Sequence, residues 1–382
     1  MVKSKIPEIR FGEFTQEWEE LKLGDIAEFF NGKRVPIESE SRIKGQYPYY
    51  GATGIIDYVE GYIFEGAYVL LAEDGANIIM RNSAIAYLTE GKFWVNNHAH
   101  IMKMKSGSNV FLTQVLENQN YEKYNSGTAQ PKLNSQVVKN IILNVPHKKE
   151  QAKIGAFFKH LDENILLQEQ ELATLKQTKQ GFLQKMFPKE GESVPELRIP
   201  EFSGSWQQYK LGEVSTFING RAYKQPELLA SGKYKVLRVG NLYTNNSWYY
   251  SDLELDDKYY AEKGDLLYTW SATFGPHIWT GDKVIYHYHI WKVELSEKIN
   301  KEFMVQLLEY DKAKIASDKN GSTMVHITKK GMEEKKVLLP SIDEQIQIGN
   351  FFKQLDETIT LHQQELEALQ ETKKAFLQKM FV

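Results

Sequence analysis

The 382-residue chain contains no cysteine. Disulfides, cysteine-type zinc sites and a thiol nucleophile are therefore excluded, and the absence fits a reducing compartment. No apolar run approaches the roughly 18–20 residues that cross a bilayer. The opening MVKSKIPEIRF lacks the apolar core of a secretory signal, so a cytoplasmic protein is expected. An excess of positive charge is also missing: 47 Lys and Arg stand against 50 Asp and Glu, a net charge of −3 and a pI near 6.4. Nucleic-acid binders usually carry a basic excess, because counterion release supplies much of their affinity. If this chain binds DNA, a partner must supply part of the phosphate grip. Catalytic signatures are absent as well. There is no GxxxxGKS/T phosphate loop, no Gly-rich dinucleotide fingerprint and no GxSxG elbow. The base-holding D/N-P-P-Y/F motif is not found either; Asn144–His147 reads NVPH. No catalytic residue is assigned, and a non-catalytic role is expected.

What is present is a duplication. EQAKIGAFFKHLDENILLQEQELATLKQTKQGFLQKMF from Glu150 recurs from Glu344 as EQIQIGNFFKQLDETITLHQQELEALQETKKAFLQKMF, with 24 of 38 positions identical. Upstream, EIRFGEFTQEWEELKLGDIAEFFNGK from Glu8 recurs as ELRIPEFSGSWQQYKLGEVSTFINGR from Glu196. The offset is 196 − 8 = 188 at the start of the repeat and 344 − 150 = 194 at its end. Similar flanks therefore enclose two middles that differ in sequence and in length.

Each closing segment reads as one long helix. Ile154, Phe158, Leu161, Ile165, Gln168, Leu172, Leu175, Lys179, Phe182 and Met186 follow a 4-3 spacing. Ile348, Phe352, Leu355, Ile359, His362, Leu366, Leu369, Lys373, Phe376 and Met380 repeat it. Proline is confined to the edges, at Pro146, Pro340 and Pro188. About 38 residues at 1.5 Å each span roughly 57 Å. Antiparallel packing of the two helices on each other is favoured over packing of each on its own module. Gln168, His362, Lys179 and Lys373 interrupt the seam and read as register-setting residues.

The middles, roughly 21–146 and 209–340, are β-rich with some helix. Strands are expected at Tyr68–Ala72, His98–Met104, Tyr234–Val239, Asp265–Trp270 and Lys283–Leu295, and helices at Asn109–Tyr124 and Asn300–Ser317. The fold class is α+β: two mixed modules joined by two long antiparallel helices in a pseudo-twofold internal repeat. The expected segments are 1–147 (first module), 148–187 (central helix), 188–207 (connector), 208–341 (second module) and 342–382 (terminal helix). Two HxH pairs, His98/His100 and His287/His289, lie 287 − 98 = 189 apart and so read as equivalent. Two residues on one strand face suit two metal ligands, but no third ligand is evident. Polar-contact histidines near a recognition surface are preferred, and no metal is assigned. The loop Ser126–Leu133 matches Asn320–Ile327. It suits either phosphate and base-edge contacts or a plain cap or turn.

These features together resemble the specificity subunit of a type I DNA restriction-modification enzyme. The resemblance covers essentially the whole chain. It rests on the openings Trp18–Gly24 and Trp206–Gly212, the SGT-type loop, and the doubled EQxxIGxFFxxLD helix with its FLQKMF ending. It implies that each middle is a target recognition domain reading half of a split DNA site, while the helices act as a ruler. Two modification methyltransferase subunits, which carry S-adenosylmethionine, would dock on the helices and flanks. Restriction subunits with ATP-driven translocase and nuclease activity would join, with ATP and Mg on those partners and no cofactor on this chain.

Donor chemistry in Gly- and Asn-rich loops nominates contacts to double-stranded DNA, Arg and Lys suiting guanine and Asn and Gln suiting adenine. In the first module these are Lys33, Arg34, Tyr49, Asn77, Arg81, Asn97, His98, Thr128, Gln130 and Lys132. In the second they are Arg221, Tyr223, Lys224, Arg238, Asn241, Ser271, Thr273, Ser322, Thr323 and His326. A rival reading is a coiled-coil scaffold with two peptide-binding modules. One helical turn of B-DNA is about 34–36 Å, so a rod of roughly 57 Å could bring two readers to one DNA face. Lengthening both helices by one heptad is therefore expected to change the unread gap and leave both half-site sequences as they were. Methylation mapping in a host carrying the variant with its partner genes reads both quantities, and an unchanged gap contradicts the ruler.

Overall fold

The computed structural model describes residues 5–127, 129–271, 273–317 and 327–382. The chain divides into two compact units, residues 1–170 with 364–382, and residues 171–363. These units run across the expected segments, because each long helix contributes to both. The helices are Lys148–Lys185 and Ile342–Lys379, 38 residues each. Acidic residues open them (Glu150; Asp343 and Glu344) and a lysine closes each, which complements the helix dipole.

Every residue of the two expected seams is buried or half-buried, whereas Leu166, Leu167 and Leu361 on other faces are more than half exposed. In the first unit, the start of the central helix pairs antiparallel with the end of the terminal helix. Phe157 meets Phe376 edge-on at 4.9 Å, and Lys373 Nζ lies 2.6 Å from Asp162. Gln168 donates to Glu365 at 2.6 Å. The second unit repeats the arrangement with Phe182 on Phe351 at 5.1 Å and Lys179 on Asp356 at 2.5 Å. The seam lysines thus pair with the aspartates of the repeated LDE. Packing on the modules occurs too: Ile154, Phe158 and Met380 join the core of the first unit, and Met186, Ile348 and Phe352 that of the second.

Each unit is closed by the helix ending of the other repeat. Phe381 packs with Trp18 and Phe111 at 6.1 and 5.8 Å, and Phe187 with Trp206 and Phe303 at 5.9 and 5.4 Å. The flank is stitched on by backbone: Ile9 N–H donates to Lys379 O at 3.0 Å, and Leu197 N–H to Lys185 O at 2.8 Å.

Other repeated residues form the same polar lattice twice. Arg10 binds the buried Glu150 through two bonds of 2.7 Å, and Arg198 binds Glu344 through two of 2.8 Å. The hydrogen bond to Glu150 raises the Arg10 pKa. Gln151 and Gln345 donate to Pro146 O and Pro340 O at 2.9 and 3.0 Å. Gln114 reaches Asp162 at 3.1 Å, and Gln306 reaches Asp356 at 3.3 Å. At Gly155 and Gly349 the helix comes so close to its module helix that a Cβ would lie 2.7 Å from Ser108 Oγ and 2.7 Å from Phe303 N, respectively.

Within each module two four-stranded sheets carry the fold. In the first, the main sheet runs Ala27–Phe29, Ala99–Met104, Tyr68–Ala72, Ala86–Thr89, and the second sheet runs Gly54–Val59, Lys44–Gly51, Lys92–Val95, Phe64–Glu65. In the second module the main sheet runs Ser215–Asn219, Ile290–Leu295, Leu266–Ser271, Thr273–Ile278. Its other sheet runs Tyr249–Ser251, Tyr234–Leu237, Val284–Tyr286, Tyr260–Ala261. The single strand expected over Lys283–Leu295 is two strands, because Val284–Tyr286 and Ile290–Leu295 serve different sheets and the chain turns between them. The helix expected over Asn109–Tyr124 ends at Glu117, and its partner spans Lys301–Ser317.

Removing Glu150 or Glu344 leaves a largely buried guanidinium without its partner, at a cost of about 3–5 kcal/mol. Glu150→Ala and Glu344→Ala are each expected to lower stability by that order in chemical denaturation. Gly349→Ala is expected to cost about 1–3 kcal/mol and more than Gly155→Ala, because its Cβ meets the Phe303 backbone and Glu302 Cβ, whereas that of Gly155 comes under 3 Å only of the Ser108 hydroxyl.

Candidate nucleic-acid interface

The ends of the central strands gather the nominated loops along one edge of each module. In the first module, the turn Asn96–His98 leads into Ala99–Met104 and the loop from Glu73 follows Tyr68–Ala72. That loop is tied to the segment before Leu133: Gly75 N–H donates to Pro131 O at 3.0 Å and Leu133 N–H to Glu73 O at 2.7 Å. Gly51, Thr53, Asp74, Asn77, Asn96 and His98 line a shallow cleft there. Asn97, His98, Gln130 and Lys132 are exposed around it. His98 Nδ1 lies 2.9 Å from both Asp74 carboxylate oxygens.

Several nominated side chains have internal partners. Arg34 binds Glu73 at 2.6 Å and the carbonyls of Asn97 and Ala99 at 3.3 and 2.8 Å. Tyr49 is buried, with its hydroxyl accepting from Ile37 N–H at 2.9 Å. Asn77 closes its own loop, donating to Ser83 O at 3.0 Å and accepting from Ser83 N–H at 2.9 Å. Arg81 is the one described non-glycine residue at positive φ, 55°, and it binds Glu117. Lys33 is exposed, its ammonium 5.4 Å from the Phe30 ring centre.

In the second module, Arg221 holds Glu227 at 2.7 and 3.2 Å, a hydrogen bond that raises its pKa. Its neighbour Tyr223 is half-buried, with a hydroxyl that finds no partner among the described residues. Lys224 and Thr273 are exposed, and Ser271 is half-buried at the hairpin opposite Thr273. Arg238 lies 4.2 Å over Tyr249, and its buried Nε has no partner among the described residues. Asn241 ties its loop to Asn245 O and Ser247 O at 3.0 and 2.8 Å. Thr128, Ser322, Thr323 and His326 lie outside the described residues.

His98, His287 and His289 precede strands, whereas His100 is the second residue of Ala99–Met104. His100 is buried and accepts from Asn31 at 2.9 Å while facing Leu133 O at 2.8 Å, and burial lowers its pKa. His98 turns instead to Asp74, so the pair does not converge. His287 and His289 have ring centres 4.8 Å apart. Among the described residues no group of three or more His, Asp or Glu side chains is placed to hold a metal ion.

The expected equivalence of the two HxH pairs is overturned by the strand register. Ala27 and Phe29 pair with Met104 and Met102, and Ser215 and Phe217 with Leu295 and Val293. The second partner strand is therefore shifted by 295 − 104 = 191, not 189. His98 corresponds to His289, Asn96 to His287, and His100 to Trp291. The offset between the repeats has thus grown from 215 − 27 = 188 at the first strand of this sheet to 191 at its partner, a change that matching the HxH text does not reveal.

The comparisons with known proteins agree with this architecture. The family described as type I restriction modification DNA specificity domain matches twice, at residues 15–177 and 204–371. A Haemophilus influenzae protein named as a type I restriction enzyme specificity subunit is 28% identical over 358 residues, covering 90% of this chain and 89% of its own. The type I restriction enzyme MjaVIII specificity subunit of Methanocaldococcus jannaschii is 23% identical over 394 residues, covering 95% and 91%. Among solved structures, the S subunit of the type I restriction-modification system from M. genitalium superposes with a TM-score of 0.71 at 16% identity over 99% of both chains. A chain from a study of complex assembly and conformational transition of the type I R-M system gives 0.55 at 16%, over 95% of this chain and 97% of that one. The chain belongs to the type I restriction-modification DNA specificity family, as a specificity subunit with a DNA-recognition role. That membership does not favour the scaffold reading. No described helix is long and apolar enough to cross a membrane.

Two histidines of the second module have low pKa values. His277, 3.0 Å from the Tyr243 hydroxyl, is pushed down to about 4 by burial and Lys312. His287 is pushed down to about 4 by burial, with His289 and Arg238 adding to the effect. Both lie below the ordinary 6.5, so between pH 6.5 and about 4 the folded unit binds fewer protons than the unfolded chain. Their contribution to stability is present above pH 6.5 and lost as pH falls through that window. Denaturant melts from pH 7 to 4 are expected to show this slope, and His277→Gln is expected to make it shallower.

Proposed function

We propose that each module reads one half of a bipartite DNA sequence through its strand-end edge, and that the helix pair sets the unread gap and docks two modification methyltransferase subunits. The observation that carries this is a duplicated lattice around unlike edges. Arg–Glu, Gln–Pro and Lys–Asp contacts recur residue for residue. The edge, by contrast, changes from Asn96–Asn97–His98 with Asp74 to His287–Tyr288–His289 with Ser271. A constant frame suits identical partners, and variable edges suit different sequences. Neutral and polar donors along the edge suit base-edge contacts. With a net charge of −3, the phosphate grip is shared with the partners.

In this reading the chain contributes no catalytic residue. S-adenosylmethionine belongs to the methyltransferase partners, ATP and Mg to the restriction subunits, and the assembly works in the cytoplasm. The chain, co-purified with its methyltransferase partner, is expected to enrich a two-part motif with a fixed gap from a random duplex library. Recovery of one continuous motif, or of none, sinks the proposal.

A further inference from the structure

The strand register brings one histidine to the same place in both edges. Besides the ladder shift of 191, two backbone contacts mark the correspondence. Asn96 N–H donates to Tyr50 O at 3.0 Å, as His287 N–H does to Leu237 O at 2.9 Å. Glu73 N–H donates to His98 O at 2.8 Å, as Trp270 N–H does to His289 O at 3.2 Å. The residues around the two histidines differ, as the modules do. We propose that His98 and His289 are equivalent, sequence-independent contacts, each donating a ring N–H to a DNA phosphodiester oxygen and so setting the register in which the neighbouring side chains read bases.

This rests on the DNA-reading function above. Two unlike half-sites share a backbone, and phosphate contacts fix register without carrying sequence. A side chain kept at one spot while its surroundings change fits the shared element. The chemistry differs in one respect. His98 has Nδ1 against Asp74 at 2.9 Å and an exposed ring, so Nε2 is the nitrogen left for a phosphate. With Nδ1–H held by Asp74, Nε2 donates only in the imidazolium form. Asp74 is the charged group facing that ring. Glu73, Arg34 and Lys132 pair among themselves beside it, Arg34 at 2.6 Å and Lys132 at 3.8 Å from Glu73. The His289 ring stands edge-on to Trp270 at 5.1 Å and its ring nitrogens bond no described residue. Burial lowers its pKa, so it donates as a neutral imidazole.

The test uses the full chain with its methyltransferase partner and a duplex carrying the site mapped by methylation. His98→Ala and His289→Ala are each expected to weaken binding about tenfold, equally on the mapped site and on duplexes with single base changes. A methylphosphonate scan of the duplex is expected to reveal one position per half-site that weakens the wild type and leaves the matching alanine variant indifferent. Unchanged affinity in both variants overturns the proposal, and so does an altered rank order among base-changed duplexes, which marks a base contact. If the wild-type complex itself does not distinguish the mapped site from random duplex, the DNA-reading function fails before the histidines are in question.

Discussion

Each compact unit is completed by an aromatic plug from the other repeat, and the remaining architecture depends on that exchange. Phe381 sits among Trp18, Phe111 and Phe158, while Phe187 sits against Trp206 and Phe303. Burying such rings contributes on the order of 1.5–3 kcal/mol each. Because the plug terminates a long helix, inserting it also places that helix against the module. The helix seam, the flank held by Lys379 and Lys185 carbonyls, and the module helix all take their positions from it.

The polar lattice makes the exchange specific. Glu150 and Glu344 are fully buried carboxylates, each carried by a bidentate arginine from the flank. A buried charge is tolerated only when paired and hydrogen-bonded, so flank and helix start stay together or the unit opens. The Lys–Asp pairs between helices are more exposed and hold less tightly, and the glutamine that each module helix adds to the same aspartate links seam to module. These residues recur in both copies because their partners recur.

The reading edges obey a different constraint. They stand at strand ends, where loops can change without disturbing ladders. The six-residue difference between the repeat offsets is absorbed in the modules, while the lattice at either end is untouched. Some nominated polar residues turn out to support these loops: Arg34, Asn77, Asn241 and Arg221 hold backbone or carboxylates near the edge. Their donor chemistry was visible in sequence, but not their partners. Glu73 lies 39 residues from Arg34. Ser83, Asn245, Ser247 and Glu227 are only four to six residues from Asn77, Asn241 and Arg221, yet loop sequence does not say which neighbours the folded loop brings together. What remains outward includes Asn97, His98, Gln130, Lys132, Lys224 and Thr273.

The amino-acid sequence by itself determined the duplication, the two helices with their seams, the α+β class and the family. These follow from local periodicity and from similarity between copies, which need no partner information. The separation of supporting from outward-facing loop residues was not legible, because a side chain's role there depends on the folded path of the loop and, for Arg34, on a carboxylate 39 residues away. Nor was the correspondence of His98 with His289, since text alignment matched the HxH pairs while the strand ladder shifts them by two residues. Tertiary structure alone decided that each module is closed by the other repeat's helix. A heptad seam specifies that a helix is buried along one face, whereas only packing specifies what buries it.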